Sequence, residues 1–328
     1  MGILKKDTEK VFTVYSERGL KVLSFQAFGT LCKVKFPLCD SINHKLVFEE
    51  IVCWVSSFEK RYSRYLPDSW ISTVNASAGT KPVQLSSNDN HVLKAASFAF
   101  FQSNQTIDPS CLPLALLWQK AKDQNQVPKD IEIKRAKALV NWQLVQISED
   151  EIYLPMEGMG LDFGGFGKEY AADQVSSLLM DLSCENFLVD FGGDIFAAGY
   201  ADEECSWKVG IEMPDGNQNP AFIVNLTNRG LATSGNYRKF FDLNGRRYGH
   251  TIDHRTGYPT IHSELSASLI SSSCLKSGIV STACLMLGGQ HALRVINSAW
   301  DLEGCIQSFD SPLLSNKFHT YLCNEGIR

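Results

Sequence analysis

The stretch from Gly230 to Pro259 reads GLATSGNYRKFFDLNGRRYGHTIDHRTGYP, and much of the chain can be organised around it. The pattern predicts a short strand that ends in Thr233-Ser234-Gly235 and is followed by a β-hairpin. The hairpin should pair Arg238–Leu243 with Arg246–Ile252, because Asn-Gly, here Asn244-Gly245, is the strongest short-range signal for a hairpin turn.

Polar side chains are concentrated at the end of this hairpin. His250 and Asp253 come just before a turn that runs from Arg255 to Pro259. Loops held by rigid strands often carry binding and catalytic residues. A solvated polar turn explains the same residues, so this stretch alone leaves both interpretations open.

The composition is that of an ordinary globular protein. The chain has 328 residues, of which 44% are hydrophobic and 20% charged, and its formal net charge is −5. An acidic chain without a Lys/Arg run does not favour nucleic acid as a partner. We expect a single domain over residues 1–328, with a division into two lobes near 123–160 left open.

The cysteines and the N-terminus suggest a compartment. The ten cysteines include no CxxC pair, and several lie within apolar runs, as Cys53 and Cys284 do. This usage is typical of reduced, buried thiols rather than of disulfides or a zinc site. The N-terminus lacks the apolar core of a signal peptide, and no segment is long and apolar enough to span a membrane. We therefore expect a cytoplasmic protein.

Helices and strands are intermixed without a regular βαβ repeat, which favours the α+β class with mixed sheets and flanking helices. The predicted strands are Val11–Tyr15, Leu20–Gln26, Leu31–Phe36, Trp142–Ser148, Glu151–Leu154, Asn186–Gly199, Trp207–Ile211, Ala221–Leu226, Leu265–Ser272, Glu303–Ser308 and Thr320–Cys323. The predicted helices are one capped by Asp40/Ser41 and ending near Lys60, then Asn90–Gln102, one from Leu112, Ile131–Leu139, Ser277–Leu287 and Gln290–Ala299. A loop is predicted from Phe58 to Asn75.

A glycine-rich segment precedes another predicted helix. Glycines 158, 160, 164, 165 and 167 lead into a helix with an apolar stripe that includes Ala171, Val175 and Leu179. Backbone N–H groups at such a helix start can face an anion. The spacing matches neither a P-loop nor a dinucleotide-binding fingerprint, and a turn needed only for packing is an equally good explanation.

An ordered set of motifs along the chain resembles the ApbE-type flavin transferases, the FAD:protein FMN transferases. The matching segments are Ala27-Phe28-Gly29-Thr30; Tyr62-Ser63-Arg64-Tyr65 with Asp68, Ser69 and Asn75; Asp108-Pro109-Ser110 with Leu114 and Trp118; Leu161-Asp162-Phe163-Gly164-Gly165 with Lys168 and Tyr170-Ala171-Ala172-Asp173; Gly192-Gly193-Asp194; Thr233 to Arg238; and His250 to Pro259. The set is specific because it keeps the order of the family's motifs from about Ala27 to Gly289.

The resemblance implies a function and an ApbE-like, T-fold-related architecture. Such enzymes cleave the pyrophosphate of FAD and attach FMN through a phosphoester to a Thr or Ser hydroxyl of a target flavoprotein, assisted by Mg²⁺. The resemblance assigns catalytic roles to three residues: His250, which would act as the base, Asp253 and Arg255. It places the metal at Gly165, Ser281 and Thr282. The implied flavin-binding positions are Phe28, Tyr65, Asp108, Pro109, Ser110, Asp162, Lys168 and Thr251.

The chain departs from the family pattern at the metal. The family's helix reads roughly ADxxxT, but the corresponding run here is 277–282, with Gly278 where the main carboxylate is expected. Glu169 replaces the glycine after Lys168, and His254 replaces a proline. Mg²⁺ is usually held by one or two carboxylates. Two hypotheses follow: an active transferase that holds its metal through another carboxylate such as Asp253 or Asp162, and an impaired relative that binds FAD or a partner protein without transfer. From sequence alone, Gly278→Asp is expected to tighten metal binding.

Overall fold

A ten-stranded antiparallel sheet runs through most of the chain. The computed structural model describes residues 2–4, 12–38, 42–202, 205–214, 219–235, 240–243, 246–249, 251–260, 265–308 and 311–323. The strands are β1 (Gly2–Leu4), β2 (Phe12–Glu17), β3 (Leu20–Ala27), β4 (Thr30–Pro37), β5 (Val83–Gln84), β6 (Gln146–Ile147), β7 (Glu151–Tyr153), β8 (Phe187–Phe191), β9 (Ile195–Ala198), β10 (Trp207–Glu212), β11 (Pro220–Leu226), β12 (Arg229–Gly235), β13 (Phe240–Leu243), β14 (Arg246–Gly249), β15 (Ile252–Asp253), β16 (Tyr258–Pro259), β17 (Ser266–Ser271), β18 (Leu302–Gln307) and β19 (Leu313–Leu314). The order of strands in the ten-stranded sheet is β1-β2-β3-β4-β8-β9-β12-β17-β18-β19.

Helices pack against this sheet, which confirms the α+β class and excludes a doubly wound parallel sheet. The helices are α1 (His44–Tyr62), α2 (Trp70–Ala76), α3 (Ser87–Gln102), α4 (Leu112–Asp123), α5 (Asp130–Ala138), α6 (Gly167–Asp181), α7 (Cys274–Leu287) and α8 (Gly289–Ser298), with 3₁₀ turns at Trp142–Leu144 and Phe318–Tyr321. Strands from before and after residues 123–160 meet directly, since β4 pairs with β8. Smaller sheets pair β10 with β11, β13 with β14 and β15 with β16, and join β5, β7 and β6.

The largest hydrophobic core lies between the first half of the sheet and helices α1, α3 and α6. The predicted stripe of α1 is confirmed, because Val47, Ile51, Val55 and Phe58 are buried. Fully burying a side chain of this size contributes about 1.5–3 kcal/mol. A second core joins α7 and α8 to β17 and β18. The start of α7 also lies against β12, where a Cβ on Gly230 would be 2.2 Å from the backbone nitrogen of Cys274.

The predicted hairpin is confirmed in its pairing. Strand β13 pairs with β14 from Phe240↔Gly249 to Leu243↔Arg246, while the turn at 244–245 and residues 236–239 lie outside the described residues. The second strand is shorter than predicted. Ile252 belongs to β15, which pairs with β16 instead, because Gly257, with φ of 83°, closes a turn within 253–258. Gly257 takes a backbone conformation that favours glycine.

Several predicted boundaries are corrected. Helix α1 is capped by Asn43, whose side chain accepts from the N–H of Leu46 at 3.3 Å, while positions 40 and 41 lie outside the described residues. The predicted loop over 58–75 contains α2, capped by Ser69. Short helices of this kind have too few turns to show a clear period in the sequence.

Two segments that were predicted to be strands contain 3₁₀ turns. Trp142–Leu144 is helical because the side chain of Asn141 accepts from the N–H of Gln143 at 3.1 Å, so the strand starts only at Gln146. Phe318–Tyr321 replaces most of the predicted last strand, and Leu322 forms a single bridge to Val224. Across the described ranges, no helix has the length and apolar character needed to cross a bilayer.

Candidate active site

The segment Leu161–Asp173, here called the connecting segment, is bonded to three of the other motifs. At its start, the side-chain amide of Asn75 donates to the carbonyl of Leu161 at 3.0 Å and accepts from its N–H at 2.6 Å. The N–H of Asp162 donates to the carbonyl of Pro109 at 2.9 Å. Arg64 Nε lies 2.8 Å from Asp162 Oδ2. Three residues from two separate motifs therefore fix the positions of Leu161 and Asp162.

Asp162 belongs to a polar and aromatic surface. Its Oδ1 accepts from the N–H of Gly164 at 2.8 Å. The guanidinium of Arg64 lies 4.3 Å from the centre of the Tyr65 ring and donates to its hydroxyl at 2.9 Å. Tyr65 is 78% exposed. An exposed aromatic ring beside a fixed ion pair is suited to stacking on a planar ligand while a polar group is held nearby.

Asp108 and Ser110 point inward. Both are buried, and Asp108 Oδ1 accepts from the N–H and the hydroxyl of Ser110 at 2.8 and 2.6 Å. Asp108 Oδ2 accepts from the N–H of Trp142 at 3.1 Å. Of the predicted Asp108–Ser110 motif, the group that contacts Asp162 is thus the carbonyl of Pro109. The two polar side chains hold the loop in place, and their predicted flavin contact stays a prediction.

Phe28 lies in the tight turn between β3 and β4. Phe28 and Gly29 have φ of 54° and 70°, as a two-residue hairpin turn requires. A positive φ is uncommon for so bulky a residue, and such strain is concentrated at functional positions. The N–H of Phe28 donates to Glu59 Oε1 at 2.7 Å, and its ring centre lies 5.5 Å from that of Phe191.

The same turn packs against the Gly192-Gly193-Asp194 turn. A Cβ on Gly192 would lie 2.4 Å from Thr30 Oγ1, and its φ of 70° also favours glycine. Asp194, which follows, forms a short ion pair with Lys168 of the connecting segment. Burial alone lowers the pKa of Lys168, but the carboxylates of Glu169 and Asp194 raise it above the ordinary lysine value. Lys168 is therefore a permanent positive charge at neutral pH.

Glu169 is the next residue and is buried in α6. Burial, together with the Asp194 carboxylate, raises the pKa of Glu169 to about 7 against the opposing effect of Lys168. At the end of the connecting segment, the Asp173 carboxylate accepts from the N–H groups of Cys274 and Leu275 at 2.8 and 2.9 Å. Helix α6 therefore holds the first turn of α7 from the side.

Three hydroxyls meet where β12 faces α7. Ser234 Oγ lies 2.7 Å from both Ser281 Oγ and Thr282 Oγ1. Ser281 Oγ donates to the carbonyl of Gly278 at 2.9 Å, so Ser234 donates to Ser281 and Thr282 donates to Ser234. Two of the three predicted metal positions, Ser281 and Thr282, are thus together. The third, Gly165, lies in the turn before α6, where a Cβ would meet only Ile107, at 3.6 Å.

Asp253 and Arg255 form an ion pair that is joined by three hydrogen bonds. The backbone N–H and Nε of Arg255 donate to Asp253 Oδ1, and Nη2 donates to Oδ2, each at 2.9 Å. Burial disfavours ionisation of Asp253, but Arg255 holds the pKa of the carboxyl below its ordinary value. The carboxylate is therefore ionised at neutral pH and is already matched by a guanidinium.

The turn at 253–258, which carries Asp253 and Arg255, is hydrogen-bonded to residues that come before and after the Asp108–Ser110 loop in the sequence. His254 Nε2 lies 2.6 Å from the carbonyl of Gln105, before the loop. After the loop, Trp118 Nε1 donates to the carbonyl of Gly257 at 2.8 Å. Thr251 is held through its carbonyl, which accepts from the N–H of Thr260 at 2.9 Å. His250, the predicted base, lies outside the described residues.

Sequence reasoning assigned no role to several residues that the structure places in the site. Arg64, Asn75, Asp194 and Ser234 all lie within the motifs that carried the family resemblance. Each of them is a polar residue inside one of these motifs. That position in the motif was the sequence signal that could have identified them as site residues. Their partners are distant in the chain, so only the fold reveals what they contact.

Comparison with known proteins gives consistent matches. The model of the ApbE family matches residues 28–306. The FAD:protein FMN transferase of Treponema pallidum is 30% identical over 285 residues, which covers 82% of this chain and 79% of that protein. Among solved structures, the ApbE protein of Thermotoga maritima has a TM-score of 0.82 at 23% identity, covering 92% of this chain and 99% of that one. The flavin transferase ApbE of Vibrio cholerae has a TM-score of 0.79 at 22% identity, covering 96% and 99%. The two structural matches establish the fold.

Proposed function

This chain belongs to the ApbE family, and on that premise we propose that it is an FAD:protein FMN transferase. FAD is the substrate, and the acceptor is a Thr or Ser hydroxyl of a target flavoprotein. The acceptor oxygen forms a bond to the phosphorus of the FMN half, and the bond from that phosphorus to the bridging oxygen breaks. AMP leaves with the electron pair, and the hydroxyl proton passes to a base.

The observation that carries this proposal is the set of bonds made by the connecting segment. It is bonded to Arg64, Asn75 and Pro109 at its start and to Asp194 in its middle. Motifs that are scattered along the chain therefore share one location, as a common ligand would require. A polar network of this kind is a candidate binding site rather than a packing feature.

The roles proposed for individual side chains follow from their chemistry. Tyr65 and Phe28 offer aromatic faces for a ring system. Asp162 has lone pairs left to accept from an adenine or ribose donor, since a carboxylate offers about four acceptor sites. Lys168 is a fixed positive charge for phosphate. Asp108, Pro109, Ser110 and Thr251 are proposed to shape the same flavin site.

His250 is proposed as the base that takes the acceptor proton. Arg255 is proposed to steady phosphate charge, and Asp253 holds its guanidinium in one orientation through the three bonds between them. Such a base typically contributes about 10²–10⁴-fold to the rate.

We further propose that Mg²⁺ assists the reaction at Ser281, Thr282 and the backbone carbonyl of Gly165. These donors are oxygens, as a hard cation prefers. Bound there, Mg²⁺ would offset the negative charge that develops on the pyrophosphate oxygens.

The experiment that tests the function is chromatography of FAD incubated with the purified protein. With Mg²⁺, we expect AMP and FMN to form in equal amounts if water replaces the protein acceptor, and EDTA should stop the reaction. Lack of AMP across a wide range of Mg²⁺ concentrations would show that this chain does not cleave FAD.

Two broader proposals complete the description. The protein is proposed to act in the cytoplasm, supported by its cysteine usage, in which no CxxC pair occurs and several cysteines lie within apolar runs. It is also proposed to act as one domain over 1–328, supported by the pairing of β4 with β8 across the 123–160 region.

A further inference from the structure

Glu169 fills the space next to Gly278. A Cβ built on Gly278 would lie 2.4 Å from Glu169 Cγ, 2.8 Å from Oε1 and 2.9 Å from Cδ. The end of the Glu169 side chain therefore occupies the volume that any side chain at position 278 would enter. The glycine is a steric requirement of this contact, which explains why a residue with poor helix propensity lies inside α7.

The Glu169 carboxylate lacks a full set of partners. The residue is 7% exposed, and among the described residues its Oε2 is buried without a hydrogen-bond partner. Its nearest cation, Lys168, is already paired with Asp194. Two carboxylates therefore share one ammonium group. Buried charges are normally paired or bound to a metal, so within the described part of the chain Glu169 is a candidate to bind a further cation.

The hydroxyl cluster borders the same turn of α7. Ser281 and Thr282 follow Gly278 by three and four residues and so lie on its face of the helix. Ser281 also donates to the Gly278 carbonyl at 2.9 Å. The Glu169 carboxylate and the two hydroxyls thus border the same face of α7, around Gly278. Mg²⁺ accepts such donors and keeps several waters, so one carboxylate is enough.

We propose that Glu169 is the carboxylate ligand of a divalent-cation site completed by Ser281 and Thr282. The two departures from the family pattern, Glu169 and Gly278, are then one exchange, in which the carboxylate has moved from α7 to α6. This inference deepens the proposed function and rests on it, because it supplies the ligand that Gly278 lacks. It also removes the basis for the alternative that the protein binds FAD without transfer.

The contact changes the expected result of Gly278→Asp. In the presence of Glu169, a new aspartate would meet Glu169 Cγ at 2.4 Å and put a second carboxylate into the same buried space. We now expect this single variant to lower the melting temperature instead of simply tightening metal binding. In a Glu169→Gly background the space is free, and Gly278→Asp should fit.

Binding of Mn²⁺ to the apoprotein, followed by electron paramagnetic resonance of the free ion, tests the proposal without depending on turnover. Glu169→Gln keeps the shape and removes the charge. We expect it to weaken Mn²⁺ binding at least about tenfold, a loss that even outer-sphere partners of a metal can cause. Glu185→Gln is the matched control, since Glu185 is exposed just beyond α6, and it should bind Mn²⁺ like the wild type.

The double variant gives an independent comparison if Glu169→Gln does not fold. Glu169→Gly should lose Mn²⁺ binding, and adding Gly278→Asp to it should restore most of the affinity. A structural role for Glu169 predicts no such recovery. Melting temperatures of all variants separate lost folding from lost binding.

The outcomes distinguish this inference from the proposed function. If the wild type cleaves FAD but Glu169→Gln binds Mn²⁺ as tightly as the wild type, Glu169 only fills space and the inference is overturned. Absence of Mn²⁺ binding by the wild type would overturn it as well. If Mn²⁺ binding depends on Glu169 but AMP never forms from FAD, the site stands and the transferase function fails.

Discussion

Replacing His250 by alanine is expected to lower the rate of FAD turnover by about 10²–10⁴-fold, the usual contribution of a positioned base. The Kd for FAD should stay nearly unchanged. A base acts on the acceptor proton only as the new bond forms, so its loss removes an interaction made mainly in the transition state. Steady-state rates of AMP release and FAD binding measured without metal check the two halves of this expectation.

The control for this variant is His291→Ala. His291 is exposed on α8, so its loss should leave both rate and binding as they are. If His250→Ala weakens FAD binding as much as it slows turnover, His250 contacts FAD in the ground state and is not the base.

Replacing Lys168 by methionine is expected to lower the free energy of unfolding by about 3–5 kcal/mol, as removal of one partner from a buried ion pair commonly does. The ammonium group is the shared partner of Asp194 and Glu169, both of them buried. Its loss takes this cation away from both buried carboxylates. Urea unfolding at neutral pH measures the effect, with the midpoint and slope fitted together.

Two comparisons sharpen this prediction. Lys122→Met makes the same change at an exposed position of α4 and should alter stability by no more than about 0.5 kcal/mol. Asp194→Asn should cost less than Lys168→Met, because Lys168 then keeps Glu169 as its counter-ion. A loss below about 1 kcal/mol for Lys168→Met would mean that solvent, and not Lys168, compensates the two carboxylates.

The parts of the fold that could be predicted are those with a strong local pattern. The stripe of α1 follows the helical period, and the Asn-Gly dipeptide at 244–245 in the sequence predicted the pairing of β13 with β14. The family resemblance supplied the class of fold and the positions of most motifs. Each of these depends on residues that are close together in the sequence.

The remainder depends on contacts between distant segments. Glu169 and Gly278 both depart from the family pattern in the sequence. Only the packing of α6 against α7 shows that the Glu169 side chain fills the space left by the missing side chain of Gly278. In the same way, the flavin contact of Asp108 and Ser110 stays a prediction, and only the fold reveals that these side chains accept from the N–H groups of Trp142 and Asn141. A motif gives the residue type at a position but not the direction of its side chain.

The most direct test of the account is the melting temperature of the wild-type protein with and without saturating FAD, in the absence of added metal. A ligand that binds only the folded state raises the melting temperature by mass action. We predict a clear increase for the wild type and a smaller one for Asp162→Ala, because Arg64 and Pro109 hold Asp162 in the proposed flavin site. A wild-type melting temperature that saturating FAD leaves unmoved would contradict the assignment of a flavin site to the connecting segment.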